Sequence, residues 1–350
     1  MSHINDYRAH ILGLLGMNPD IVSAKGNTLT TREGWSFRDC LSQYGALPFG
    51  HNPSFAVKAL TDHMESRSPV FSQPVLQDNS EQFAQELIEA LGRKYRKCVF
   101  TNSGAETVEA AVKLARMKTR RRHILSVTNS FHGKTSSALA CTGSTRYTSP
   151  SLDDNRHAHI PLNDGKVLEQ TLNSGKYAAF IVEPVQGEGG MHRADTEWLL
   201  LAQRLCRRNN TLLVFDEIQT GLGRTGEITV SSGIGVIPDI LLLAKALGAG
   251  MVPSGAMLYT TRANCREFER KHSSTFANNG LAASVGRAML KRLYKPEKGE
   301  HDAGGNKGGT LEYVKQLSSL TDALCYRLQR RYQFPRKASP NRAVIQAVSP

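Results

Sequence analysis

Two apolar runs end on groups that could do chemistry together. Leu212 to Phe215 reads as a buried strand and delivers Asp216 and Glu217 at its C-terminal edge; Ile240 to Leu243 ends the same way and delivers Lys245. Open α/β sheets bind ligands at the carboxyl ends of their strands, so an acid and a lysine set there point to a site. Lys245 stands in AKALGAG, among small and apolar residues that solvate an ammonium poorly. Desolvation favours the neutral amine, the form that attacks a carbonyl. An amine able to form a Schiff base, with an acid near a pyridine nitrogen, is the pair of protein groups that pyridoxal phosphate needs. A structural pair of strand-end charges is the plainer alternative.

Other stretches add to this pair. Asn102-Ser103-Gly104-Ala105-Glu106 joins a strand to a helix, and small residues there let backbone N–H groups face an anion at the positive end of the helix dipole. Taken alone it is a helix cap. Phe131-His132-Gly133 ends another strand, and Glu183 begins EPVQGEGG after a third. Gly221 to Gly226 spells G-x-G-x-x-G, but three residues separate it from the strand-end acids and ITVSSGIG after it is a poor helix, so a dinucleotide fingerprint is rejected.

VFDEIQTGLGRTG followed by PDILLLAKALGAG resembles the signature of the class III, ornithine-type aminotransferases, over roughly residues 20–335. That resemblance implies an α/β chain of fold type I, a pyridoxal 5'-phosphate-dependent transferase with a mainly parallel seven-stranded sheet sandwiched by helices. It implies Lys245 as the Schiff-base lysine, Asp216 as the partner of the pyridine nitrogen and Gln219 as the neighbour of the phenolic oxygen. Ser103, Gly104 and Ala105 would hold the phosphate, Phe131 would stack on the ring, and His132 would lie beside it. The family assigns proton transfer to the freed lysine rather than to this histidine. Thr275 in HSSTF would cross a homodimer interface to the partner's phosphate, although Ala-Asn-Asn-Gly stands where relatives mostly have Gly-Gly-Asn-Pro. Glu188 and Glu183 would face the substrate. Lys134 in FHGKT stands where relatives acting on ornithine, acetylornithine or 4-aminobutyrate have an arginine, and it lacks the bidentate fork. FHGK, EGG and AKALG are together similar to the putrescine branch.

The rest of the chain must position these groups. Residues 1–45 are expected to form the N-terminal segment of a small domain, with a hairpin in 26–40 turning at Glu33-Gly34. The stretch 46–290 is expected to be the large cofactor-binding domain. YGALPFGHNP resembles the family's entry loop, with His51 a turn residue. Ser66 to Gln77 is extended, and Phe71 and Ser72 are candidates for the substrate entrance. Helix Ser80–Leu91 precedes strands at CVFT, ILSVT and AAFIVEP, helix Thr196–Arg208, the two opening strands and SGAMLY. Strands alternating with helices mean a largely parallel sheet covered on both faces. Residues 291–350 read as the start of a C-terminal small domain, incomplete relative to the family, with a Gly- and charge-rich mobile insertion at 295–310. A helix Leu311–Tyr332 follows, apolar at Val314, Leu317, Leu320, Leu324 and Leu328.

Composition bounds the possibilities. The 350 residues, 40% hydrophobic, suffice for a sizeable core, and no run approaches the ~20 apolar residues of a membrane span. The leading MSHINDYRAH lacks an apolar signal core, which points to a cytoplasmic protein. Six scattered cysteines without a C-x-x-C pair argue against zinc and against disulfides, and for mostly buried thiols. A net charge of +13 raises nucleic-acid binding, but RMKTRRR (116–122) and its like are not interleaved with aromatics, and solvated helix ends read better. The reading is ping-pong transamination from a terminal amine, diamine or omega-amino acid to 2-oxoglutarate or pyruvate. The alternative is a cofactor-binding, catalytically weak scaffold or piece of a larger assembly.

Overall fold

The structure is a computed structural model that describes residues 3–16, 18–71, 76–147, 156–295 and 309–332. Ser72, most of the 295–310 insertion and the Leu328 side chain lie outside that description. The N-terminal part folds as an antiparallel sheet of β1 (Ile21–Lys25), β2 (Thr28–Thr31) and β3 (Ser36–Arg38). The expected hairpin is β2–β3, turning where Gly34 takes φ +88°. His51 is structural here: its Nε2 lies 2.8 Å from Asp39 Oδ2, and its backbone bridges to Gly26.

The central sheet uses β4 (Lys97–Thr101), β5 (His123–Val127), β6 (His157–Ile160), β7 (Tyr177–Val182), then, after the short pair β8 (Val185–Gln186) and β9 (His192–Arg193), β10 (Leu212–Asp216), β11 (Ile240–Leu243) and β12 (Gly255–Tyr259). Its order is β4-β12-β11-β10-β7-β5-β6. The pairs β11–β10–β7–β5–β6 are parallel, while β12 runs antiparallel to both β11 and β4. Edge strand β6 was invisible to pattern reading, because HAHI carries two histidines and no apolar run.

Every residue of β7, β10, β11 and β12 is buried. Continuous apolar runs suit strands covered on both faces, and alternate side chains serve opposite layers. Leu213 and Phe215 join Leu241, Leu243, Phe180 and Val182 in one core, against helices Asp78–Ala90, Thr196–Arg208 and Gly280–Tyr294. Leu212 and Val214 join Ile240, Leu242 and Ile181 in the other, under helix Gly104–Thr119. In helix Thr196–Arg208 the buried set Trp198, Leu199, Ala202, Leu205 and Cys206 repeats at helical spacing, each large side chain contributing roughly 1.5–3 kcal/mol.

Three expectations are refined, and the last of them is corrected. The stretch after the glycine loop does form a helix, though only the five residues Val230–Ile234, because Thr229 caps it by accepting from Ser232 N. The basic run 116–122 is not simply solvated: Arg116 and Arg121 donate to the carbonyls of Arg122, Tyr177 and Asn209, Lys118 to that of Asn264, and Arg120 pairs with Glu267. The thiols are free, but only Cys141 and Cys206 are fully buried and Cys40 is exposed. Helix Thr310–Tyr332 buries Val314 yet leaves Leu320 and Leu324 exposed. No helix of the described residues is long and apolar enough to cross a membrane, and no His, Cys, Asp and Glu group among them could hold a metal.

Candidate active site

A cavity of about 510 Å³ opens at the carboxyl ends of β4, β5, β7, β10 and β11. Its lining includes Ser103, Gly104, Ala105, Phe131, His132, Glu183, Glu188, Asp216, Gln219 and Lys245. The topology explains the gathering. Strands that run parallel deliver their final residues to one edge, so segments up to 142 positions apart (103 to 245) meet there. A larger cavity, about 740 Å³, lies by β8, β9 and Glu227, but it contains none of these strand-end groups.

Lys245 follows β11 at a sharp kink. Its backbone takes φ +46° and opens the 3-10 turn Lys245–Gly248. A left-handed lysine costs about 1–2 kcal/mol and aims the side chain off the strand axis. Nζ donates to Tyr44 O at 2.9 Å. Burial is the largest influence on the amine and holds it below the usual lysine range, against the pull of Asp216, Glu183 and Glu188; Arg224 pushes the same way as burial.

Asp216, at the tip of β10, is buried and doubly held. His132 Nδ1 donates to its Oδ2 at 2.7 Å, and Ile218 N donates to its Oδ1 at 3.1 Å. Among the described residues, His132 Nε2 is buried without a partner. Glu183 accepts from Phe131 N at 2.8 Å and Gly187 N at 3.0 Å, thereby pinning the aromatic residue to the end of β7. Burial pushes its carboxyl up to about 7; His132 opposes the rise and Asp216 adds to it.

The first turn of helix Gly104–Thr119 forms one wall. Ser103 caps it by accepting from Glu106 N at 3.2 Å, while Glu106 reaches back to Asn102 N at 3.0 Å, a reciprocal capping arrangement. Asn102 also donates to Ser274 Oγ at 2.9 Å. Thr275, next to Ser274, is exposed and does not line the cavity of this chain. Lys134 is likewise outside the lining: it is exposed, with Nζ 4.6 Å from the Tyr147 ring, whose other neighbour is Phe131. Phe71 packs on Phe276 at 5.0 Å, both exposed.

Gln219 lies over the cavity, its Nε2 donating to Tyr44 O at 3.2 Å. A Cβ at Gly187 would overlap the Gln219 amide, so any larger residue there would have to push that side chain aside. The loop that follows is not a phosphate cradle. A Cβ at Gly221 would strike Glu217 O and Leu243, and Glu217, buried, accepts from Val230 N at 2.6 Å and Ser231 N at 2.9 Å. The three glycines pack this loop onto β11 and helix Thr310–Tyr332.

Pattern reading missed three participants. Tyr44 enters through its carbonyl, which residue type does not announce. Arg224 is buried and donates to Gly45 O at 2.9 Å; the GLGRTG run contains it, but neither the fingerprint nor the family resemblance gives this arginine a role. Asn102 supports the helix start. The arrangement fits pyridoxal phosphate: a capped helix start could take a phosphate, a buried acid could partner a ring nitrogen, and an amine of lowered basicity could take an aldehyde.

Comparison with known proteins agrees. The family model described as Aminotransferase class-III matches residues 16–303. Aminotransferase PigE of a Serratia species is 35% identical over 326 residues, 89% of this chain, and the chain spans 36% of that protein's length. The ornithine aminotransferase of Toxoplasma gondii superposes with a TM-score of 0.75 at 26% identity, covering 96% of this chain and 82% of that one. The acetylornithine aminotransferase of Elizabethkingia anophelis does so at 0.71 and 29%, covering 93% and 80%. The chain therefore belongs to the class III aminotransferases, pyridoxal phosphate proteins of fold type I.

Proposed function

We propose that the chain transfers an amino group from a terminal amine, diamine or omega-amino acid to a keto acid, 2-oxoglutarate or pyruvate, by a ping-pong route through Lys245. The observation that carries this reading is the meeting of Lys245 and Asp216, from adjacent parallel strands, in one cavity with a capped helix start. Ser103, Gly104 and Ala105 would take the phosphate, Phe131 the ring face, Asp216 and His132 the ring nitrogen side, and Gln219 the phenolic oxygen. When bound, the cofactor supplies an electron sink for the carbon that loses its proton. Lys245 would hold the aldehyde through Nζ and, when free, would carry the proton at that atom, burial holding the amine below the usual lysine range. Asp216 supplies the negative charge that favours a protonated ring nitrogen.

Glu188 lines both the site and an adjoining cavity of about 460 Å³, where an exposed carboxylate suits the distal ammonium of a diamine. Lys134 stands beyond the lining, at Tyr147, where it would meet a longer donor. Glu183 acts through Phe131. A homodimer is part of this reading: Thr275 and the exposed Phe71–Phe276 pair share one edge, which a second copy would cover.

The test uses the purified full chain. Pyridoxal phosphate should add an absorbance band, borohydride should fix the cofactor on the peptide carrying Lys245, and putrescine or cadaverine should bleach the band until a keto acid restores it. Transamination of ornithine or 4-aminobutyrate with no response to diamines or simple amines would overturn the donor class. The match to only 36% of the Serratia protein favours a second reading, a cofactor-binding part of a larger assembly, and a band that no amine alters would support it.

A further inference from the structure

Three side-chain donors converge on two consecutive carbonyls. Lys245 Nζ and Gln219 Nε2 donate to Tyr44 O at 2.9 and 3.2 Å, and Arg224 Nη2 donates to Gly45 O at 2.9 Å. Two oxygens side by side, facing a guanidinium and a lysine nitrogen, present what a carboxylate presents. The turn that offers them is strained. Ser42, Gln43, Tyr44 and Gly45 have φ of +51°, +49°, +58° and +79°, four left-handed residues in succession, three of them not glycine. Arg224 is 5% exposed, and it lines the 460 Å³ cavity together with Tyr44, Gly45, Gln219 and Glu188.

We propose that Arg224 is the specificity residue for the amino acceptor, binding the keto acid's carboxylate, and that the Tyr44–Gly45 carbonyl pair occupies this subsite until the acceptor displaces the turn. The inference rests on the transamination reading for its reaction, but the subsite itself is a statement about carboxylate binding. A planar fork of N–H donors matches a carboxylate bidentately, and a nearly water-free position makes the pairing strong. Joining Lys245 to the cofactor takes away one donor from Tyr44 O, which leaves the strained turn held by Gln219 and Arg224 and easier to lift. Glu188, on the same cavity, opposes an anion and sets a limit on how many carboxylates it accepts.

Glutarate, an unreactive dicarboxylate, and cadaverine, its diamine counterpart, separate the possibilities in the wild-type chain. Glutarate should speed amide exchange in residues 40–50, and cadaverine should not; unchanged exchange under saturating glutarate overturns the proposal. Calorimetry should show glutarate binding weakened at least about tenfold in Arg224→Gln and less in Arg224→Lys. In the loaded protein, Arg224→Gln should raise the KM for 2-oxoglutarate by a similar factor, and by clearly more than it raises the KM for cadaverine. An equal rise for both substrates, or for neither, counts against the subsite. If the wild type never responds to amines, the transamination reading fails, while glutarate binding and its loss in Arg224→Gln still decide this one.

Discussion

His132 and Asp216 form a buried pair, Nδ1 to Oδ2 at 2.7 Å, in which the histidine's other nitrogen is buried without a partner among the described residues. The hydrogen bond fixes one oxygen of the acid, and Ile218 N fixes the other, so the carboxylate has one orientation. If this bond is what His132 contributes, it acts by positioning Asp216 rather than by carrying a proton. Removing a hydrogen bond to a charged group costs about 1.5–3 kcal/mol. His132→Phe should therefore weaken cofactor binding roughly tenfold to a hundredfold, followed by titration of the absorbance band. His132→Asn, which retains a donor, should recover part of that loss; equal affinities for both variants would refute the positioning role.

Glu183 should make stability fall as pH rises. Its folded-state pKa, about 7, lies above the ordinary glutamate value, so between those two values the native state binds a proton that the unfolded state has released. Its contribution is fully present below about pH 4.5 and is lost by about pH 7, roughly 3 kcal/mol in all. Urea midpoints of wild type and Glu183→Gln, taken from pH 5 to pH 7.5, should show the wild type losing ground to the variant across that window. Parallel curves would contradict the assignment.

Glu217 holds the loop that carries Gln219 and Arg224. Glu217→Ala would leave the buried amides of Val230 and Ser231 without their acceptor, at about 1–3 kcal/mol each. A stability loss of roughly 3 kcal/mol is expected, and Glu217→Gln should lose less. A change below about 1 kcal/mol would show that the amides find other partners.

The parts of this molecule that were legible in its sequence are those written in long apolar runs or in residue types with narrow chemistry. β10 and β11 were visible because a fully buried strand must be apolar on both faces, and their final residues, Asp216 and Lys245, could be located from the runs alone. Helix Thr196–Arg208 was visible from its spacing. β6 escaped because an edge strand of four residues needs no apolar code. At the site, Tyr44 and Gly45 act through main-chain oxygens, which every residue possesses, and their role depends on a turn conformation that residue type does not favour. Arg224 escaped because its contact partner lies 179 positions away, a distance over which local pattern carries no information. Lys134 shows the converse, since a match by motif position did not bring its side chain into the cavity lining.

The kinked main chain at position 245 ranks substitutions in a way that chemistry would not. Lys245→Ala and Lys245→Gly discard the same amine and should be equally inert, yet only glycine rests comfortably at φ +46°. The glycine protein should therefore resist urea better, by something on the order of 1 kcal/mol, despite the looser unfolded chain that glycine confers. Such a ranking would mark this as a spot where the folded state forgoes robustness so that one nitrogen points the right way.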